Sequence, residues 1–170
     1  SRCRHLEATL DKKALIVDHE NCGACHICEL VCSFSKEKVF TPSKSRIRIK
    51  EVFMNEVILV CQQCKIAKCV EACDYGALSR DPPTGAIIVN QEKCKGFECG
   101  KCLSACPYGA IFRDPKTGIV LICDLCGGSP ICTRWCPRGA LLYEIPEGKK
   151  SELKIRAESK IVAYWRSVKK

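Results

Sequence analysis

Sixteen cysteines fall into four groups of four, and their spacing is the chemistry-bearing feature of this chain. The first group is Cys22, Cys25, Cys28 and Cys32 in CGACHICELVC, and the second is Cys61, Cys64, Cys69 and Cys73 in CQQCKIAKCVEAC. The third is Cys94, Cys99, Cys102 and Cys106 in CKGFECGKCLSAC, and the fourth is Cys123, Cys126, Cys132 and Cys136 in CDLCGGSPICTRWC. A seventeenth, Cys3, stands apart and is expected to be a plain free thiol. Three chemistries use cysteine at this density. Disulfides need an oxidising compartment, and an odd count behind an opening, SRCRHLEATL, with no apolar leader argues against them. Zinc sites usually pair two C-x2-C units about 15–20 residues apart, or pair histidines. The chain has three histidines, and none has a second-histidine spacing. Iron–sulfur clusters remain, and the first group matches their C-x2-C-x2-C-x3-C run residue for residue.

The inner gaps vary among the groups, but all four end in C-x3-C. Residues four apart lie on one face of a helical turn, with Cβ atoms about 5–6 Å apart. In two-cluster ferredoxins the last cysteine of such a run ligates the other cluster. One turn then carries a thiolate for each of two clusters and fixes them at a spacing suited to electron transfer. Four groups of four predict four [4Fe–4S] clusters in two paired modules. His26, inside the first group, could replace a cysteine as histidine does in Rieske centres. With all four cysteines present it is expected to be a spacer.

Pairing of the groups is suggested by a repeat. CDYGALSRDPPTG begins at Cys73 and CPYGAIFRDPKTG at Cys106, with Tyr75/Tyr108, Gly76/Gly109, Asp81/Asp114 and Gly85/Gly118 in register. The phrase follows groups two and three, so these form one pseudo-symmetric module, and groups one and four form the other. A shorter echo, CPRGAL, follows Cys136. Gly76, Gly109 and Gly139 permit a tight turn as the chain leaves each site. Asp-Pro-x-Thr-Gly is turn chemistry between short apolar runs, which predicts a β-hairpin after each fourth cysteine of the repeat. Tyr75 and Tyr108 are expected as aromatic lids over the clusters, with electron relay as the alternative.

The elements that position these loops follow from the periodicity. KALIVDHENC reads as strand, turn and first group. Arg46, Arg48 and Lys50 alternate with Ile47 and Ile49, a half-buried strand, and VFMNEVILV returns as a second. Ile161, Tyr164, Trp165 and Val168 have i, i+3, i+4, i+7 spacing, which predicts a short amphipathic helix. Either it packs on the body of the protein or its Trp/Tyr patch anchors a partner. The resulting expectation is an α+β fold with short helices, β-hairpins and few large core side chains. One ferredoxin-like module covers 13–60 plus 119–145, the second covers 61–118, and 146–170 is a basic tail with an amphipathic helix. The formal charge of +9 invites a nucleic-acid reading. Each oxidised cluster with four thiolates contributes about −2, so four bring the total near neutral. The basic balance, including Lys65, Lys68, Lys93, Lys95 and Lys101, therefore reads as compensation, and no nucleic-acid partner is expected. The longest aliphatic run is VILV, far short of the ~20 residues of a membrane span. A cytoplasmic chain without its own span is expected. No phosphate loop, flavin or nicotinamide fingerprint, or acid/base pair is recognisable.

The four groups, with widened inner gaps in the last three, resemble the four-cluster electron-transfer (beta) subunits of molybdopterin and tungstopterin oxidoreductases, such as dimethyl sulfoxide reductase and formate dehydrogenase. The resemblance covers about residues 13–145. It implies a crossed ligand pattern: Cys22, Cys25, Cys28 and Cys136; Cys123, Cys126, Cys132 and Cys32; Cys61, Cys64, Cys69 and Cys106; and Cys94, Cys99, Cys102 and Cys73. The short chain is most similar to the small subunits that accompany tungsten aldehyde oxidoreductases and benzoyl-CoA reductase. The resemblance implies a non-catalytic subunit, working in anaerobic metabolism, that relays single electrons between a larger tungsten- or molybdenum-pterin subunit and an external donor or acceptor. A flavin subunit or a soluble ferredoxin would be the further partner. The alternatives are a free-standing polyferredoxin, an electron-transfer subunit of a hydrogenase-type complex, and a zinc-binding scaffold.

Overall fold

The computed structural model describes residues 12–52 and 55–168. Cys3 and His5 lie outside the described residues. Among the described residues the architecture is α+β, assembled from four two-stranded antiparallel sheets, short helices and one long carboxy-terminal helix. The strands are β1 (Ala14–Val17), β2 (Ile47–Val52), β3 (Asn55–Val60), β4 (Leu78–Arg80), β5 (Ile87–Val89), β6 (Phe112–Arg113), β7 (Val120–Leu121) and β8 (Leu141–Glu144). The helices are α1 (Ile27–Glu37), α2 (Lys68–Glu71), α3 (Lys101–Ala105), α4 (Ile131–Trp135) and α5 (Lys149–Val168).

Hairpins form where turn chemistry divides the apolar runs. β4 pairs with β5 and β6 with β7. In each connecting turn an aspartate side chain caps the backbone: Asp81 accepts from the Thr84 N–H at 3.2 Å, and Asp114 from the Lys116 and Thr117 N–H groups at 2.8 and 3.1 Å. β2 pairs with β3, and the alternation expected there holds, with Ile47 and Ile49 buried. β1 pairs with β8 in the register Ala14↔Glu144 to Val17↔Leu141, closing the chain's two ends onto one sheet.

Two apolar clusters each gather cysteines of two groups. Leu15, Val17, Ile47, Ile58, Val60, Leu125 and Leu141 pack with cysteines of groups one and four. Leu78, Ile87, Ile111, Val120 and Ile122 pack with cysteines of groups two and three. Consistently, α1 packs on α4 and α2 on α3. β3 is buried on both faces: Ile58 and Val60 join the first cluster, while Val57 and Leu59 join a third with Phe112, Leu121 and Ile161. Arg48 lies over the Phe112 ring at 4.4 Å, a cation–π contact between β2 and β6.

The carboxy-terminal helix is not short. It runs 20 residues, and it packs on the body of the protein against β1 and β3. Ala157 and Ile161 are buried, and the Trp165 Nε1–H donates to the Tyr108 carbonyl at 2.7 Å. The indole is thus engaged internally, whereas Val168 is exposed. Among the described residues no helix is long and apolar enough to cross a membrane.

Candidate metal centres

The final C-x3-C of each group lies on or beside a helical turn. Cys28 and Cys32 are in α1, Cys69 lies in α2 with Cys73 just past its end, and Cys106 and Cys136 cap α3 and α4, which contain Cys102 and Cys132. The two thiols of one turn face different surroundings. Cys61, Cys64, Cys69 and Cys106 line a cavity of about 450 Å³. Cys73, Cys94, Cys99 and Cys102 line a second, and Cys32, Cys123, Cys126 and Cys132 a third. Cys102 and Cys106, one turn apart, therefore belong to different cavities. Cys22 lies within electrostatic reach of Cys25 and Cys136, and Cys28 within reach of Cys22 and Cys25. Across the sets, Cys132 lies within electrostatic reach of Cys28, and Cys61 within reach of Cys123.

The backbone closes each loop in a recurrent way. The residue two after the first cysteine is left-handed in all four groups: Ala24 (φ 47°), Gln63 (φ 52°), Gly96 (φ 54°) and Leu125 (φ 56°). In three of them its N–H approaches the first thiol: Ala24 to Cys22, Gln63 to Cys61 and Leu125 to Cys123. Only the third group uses glycine there, so three loops hold a side chain in the conformation that sterics disfavour.

Loop exits aim further N–H groups at sulfur. In the repeated Cys-x-x-Gly-Ala phrase, Gly76, Gly109 and Gly139 donate to the carbonyls of Cys73, Cys106 and Cys136 at 3.1–3.3 Å. Each glycine has positive φ, which turns the next residue back towards the cysteine. Ala77 N–H then donates to Cys73 Sγ and Ala140 N–H to Cys136 Sγ, both at 3.3 Å. Arg46 N–H reaches Cys32 Sγ at 3.4 Å. Both alanines are buried.

Burial sets the thiol chemistry. Desolvation pushes Cys28 and Cys123 up to about 12, and Cys64 and Cys102 to about 11. Cys22, Cys32, Cys61, Cys69 and Cys132 are raised for the same first reason, with neighbouring sulfurs adding to it in several. Without a metal these thiols keep their protons at neutral pH, and ligation must displace them. Among the described residues no three His, Cys, Asp or Glu side chains are gathered so as to hold a metal ion. Twelve of the thiols line three cavities, an arrangement that suits polynuclear groups. Soft thiol donors, apolar walls and N–H groups directed at sulfur fit an iron–sulfur cluster.

The family model for the 4Fe-4S dicluster domain matches residues 52–145. A relative from Pyrococcus furiosus, the polyferredoxin-like subunit of an aliphatic sulfonate oxidoreductase, is 44% identical over 123 residues, covering 72% of this chain and 70% of its own. The chain belongs to the 4Fe-4S dicluster family. The beta subunit of an NADH-dependent phenylglyoxylate dehydrogenase from Aromatoleum evansii is 36% identical over 130 residues, covering 74% of this chain but 29% of its own. A solved structure of the benzoyl-CoA reductase active-site complex BamBC contains a chain 27% identical, covering 93% of this chain and 97% of that one, with a TM-score of 0.47.

Other sequence-predicted residues find definite places in this dicluster protein. Tyr108 lines the Cys61 cavity and Tyr75 the Cys73 cavity, the position expected of lids. His26 Nδ1 lies 2.6 Å from the buried Glu29 carboxylate, which also accepts from the Ile49 N–H at 2.8 Å. Lys65, Lys68, Lys93, Lys95 and Lys101 are all exposed, and Lys65 and Lys68 line the Cys61 cavity. Lys101 pairs with Asp74, the residue that stands where Pro107 stands in the other copy. Arg80 and Arg113, equivalent in the repeat, escaped the sequence reading. Each donates to loop carbonyls, Arg80 to Cys64 and Arg113 to Cys99. Their shared register was the available signal.

Proposed function

We propose that the protein is a non-catalytic electron-transfer subunit holding four [4Fe–4S] clusters. It relays single electrons between a tungsten- or molybdenum-pterin catalytic subunit and an external redox partner. The observation that carries this reading is the division of each C-x3-C turn between two thiol sets. Cys22, Cys25, Cys28 and Cys136 hold one cluster, and Cys123, Cys126, Cys132 and Cys32 its neighbour. Cys61, Cys64, Cys69 and Cys106 hold the third, and Cys94, Cys99, Cys102 and Cys73 the fourth. The modules are then 13–60 plus 119–145, and 61–118, with the tail from 146 packed across them. When bound, each cluster supplies a one-electron site in an apolar setting.

The chain's own residues do the rest. The thiolates fix the spacing, because Cys28 and Cys32, or Cys102 and Cys106, are one turn apart. The electrostatic proximity of Cys28 to Cys132 and of Cys61 to Cys123 supports a linear order of the four sites, crossing from one module to the other at Gln63. That side chain donates to the Cys123 carbonyl at 2.6 Å and accepts from the Ile87 N–H at 2.7 Å. N–H groups on sulfur and surface lysines offset the negative charge of the loaded sites. The names of the relatives support membership of an oxidoreductase complex.

Anaerobic purification at native level tests both parts. Roughly sixteen irons per chain, from the ligand count, and a co-eluting large subunit with tungsten or molybdenum are expected. Colourless protein containing zinc would defeat the cluster assignment, and a lone chain active as a diffusing carrier would favour a polyferredoxin.

A further inference from the structure

Arg80 and Arg113 occupy the same place in the two copies of the repeat, on β4 and β6. Arg80 donates from Nη1 to the Gly85 carbonyl at 2.6 Å and from Nη2 to the Cys64 carbonyl and, at 3.4 Å, that of Lys65. Arg113 donates from Nη1 to the Gly96 carbonyl at 3.2 Å and from Nη2 to the Cys99 carbonyl. In both copies the hairpin arginine thus clasps the carbonyl of the second cysteine of its own loop. Space is reserved for this: a Cβ at Gly100 would lie 2.5 Å from Arg113 Nη2. The Arg80 charge also reaches the Cys69 sulfur.

These hydrogen bonds end on neutral carbonyls, and among the described residues neither guanidinium is in a salt bridge, so each keeps its charge at a cysteine loop; Glu158, whose charge reaches Cys64, lines the Cys61 cavity as well. In the other module, Lys36 and Arg46 are instead paired with the carboxylates of Asp124 and Glu37 at 2.6 and 2.5 Å. A fixed cation close to a redox centre favours its more negative, reduced state. We infer that Arg80 and Arg113 are paired positioning residues that raise the reduction potentials of the Cys61/Cys64/Cys69/Cys106 and Cys73/Cys94/Cys99/Cys102 centres, one arginine to each. This rests on the ligand sets proposed above. Arg113 is half-buried and lies over the Phe97 ring at 5.8 Å, whereas Arg80 is exposed. Solvent screens Arg80 more, but Arg80 lines the Cys61 cavity and reaches the Cys69 sulfur, whereas Arg113 acts from the loop carbonyls, so the two effects are comparable.

The test is a redox titration, followed by electron paramagnetic resonance, of the anaerobically purified full chain and its Arg80→Gln, Arg113→Gln and Arg→Lys variants, each with its iron content. Arg113→Gln is expected to lower the reduced-to-oxidised ratio of one centre about tenfold at fixed potential, which is about 59 mV for one electron. Arg80→Gln should shift a different centre in the same direction by a similar amount, and each lysine variant should recover most of the shift. Unchanged potentials at full iron content would overturn the inference. So would the same centre moving in both variants, or iron loss that is equal in the Gln and Lys forms. Wild-type protein lacking four centres would instead overturn the ligand assignment itself.

Discussion

Gly76 and Gly109 hold the same place in the repeat and nearly the same conformation, with φ of 59° and 55°, but their surroundings differ. A Cβ at Gly76 meets nothing within 4 Å, while one at Gly109 runs into the indole of Trp165. Placing alanine in the left-handed region costs about 1–2 kcal/mol at either position. At Gly109 the indole must also move. It gives up its hydrogen bond to Tyr108, about 1 kcal/mol. It also disturbs the edge-on contact with Tyr164, at 4.9 Å, about 1 kcal/mol more. Gly109→Ala should therefore cost about 3–4 kcal/mol, and Gly76→Ala about 1–2. In a Trp165→Ala background the cost of Gly109→Ala should fall to that of Gly76→Ala, a coupling of about 2 kcal/mol. Anaerobic guanidinium unfolding of the iron-loaded protein, read by far-ultraviolet circular dichroism, gives all four values. Equal costs of Gly109→Ala with and without Trp165 would refute the claim that α5 is clamped on the exit turn of Cys106.

Two further outcomes follow from the loops and from His19. Ala24→Gly relieves a left-handed alanine and should stabilise the protein by up to about 1 kcal/mol, whereas Gly96→Ala should destabilise it strongly. A Cβ at Gly96 would lie 2.6 Å from the Thr117 carbonyl oxygen, and thermal unfolding of both variants measures the contrast. His19 is buried, and its Nδ1 accepts from the Ile58 N–H at 3.0 Å, so burial first and the Lys160 charge second pull its pKa from 6.5 down to about 4. A depressed histidine contributes stability that is complete above pH 6.5 and is lost as pH falls towards 4, because the unfolded chain takes up the proton first. Relative to His19→Asn, the wild type should lose about 2 kcal/mol between neutral pH and pH 5, as measured by denaturant unfolding across that range. Parallel pH profiles would show that His19 does not report burial.

Much of this was legible because cysteine spacing and turn chemistry are local. The C-x3-C turns, the hairpins after Cys73 and Cys106, and the alternation of Ile47 and Ile49 each depend on residues a few positions apart. What escaped depends on distant partners. β8 was missed although LLYE follows the same Gly-Ala exit as the other hairpins, because its partner β1 lies at the opposite end of the chain. The sequence shows only the end of the tail helix, because Ile161, Tyr164, Trp165 and Val168 carry the apolar period while its first turns are charged. Its docking is decided by Gly109, a residue whose small size had been assigned to the turn alone. The left-handed Ala24, Gln63 and Leu125 carry no glycine signal at all, since loop closure around the thiols overrides local preference.

That override bears on how the protein holds together. Its loops contain disfavoured backbone, burial raises the pKa of thiols such as Cys28, Cys64, Cys102 and Cys123, and its two cysteine-lined cores contain few large side chains. The first and last of these weaken the empty chain, and ligation offsets them by fixing the loops, with release of the thiol protons. On the proposed assignment each terminal cysteine of a group ligates beside the partner group. Loading one site then orders a helical turn that already carries ligands of the next. Loading and folding are thus coupled within a module, and Gln63 and the Lys44–Asp114 ion pair at 3.1 Å extend that coupling between modules. The same crossing that spaces the centres for electron transfer therefore makes the fold depend on all of its cysteines together.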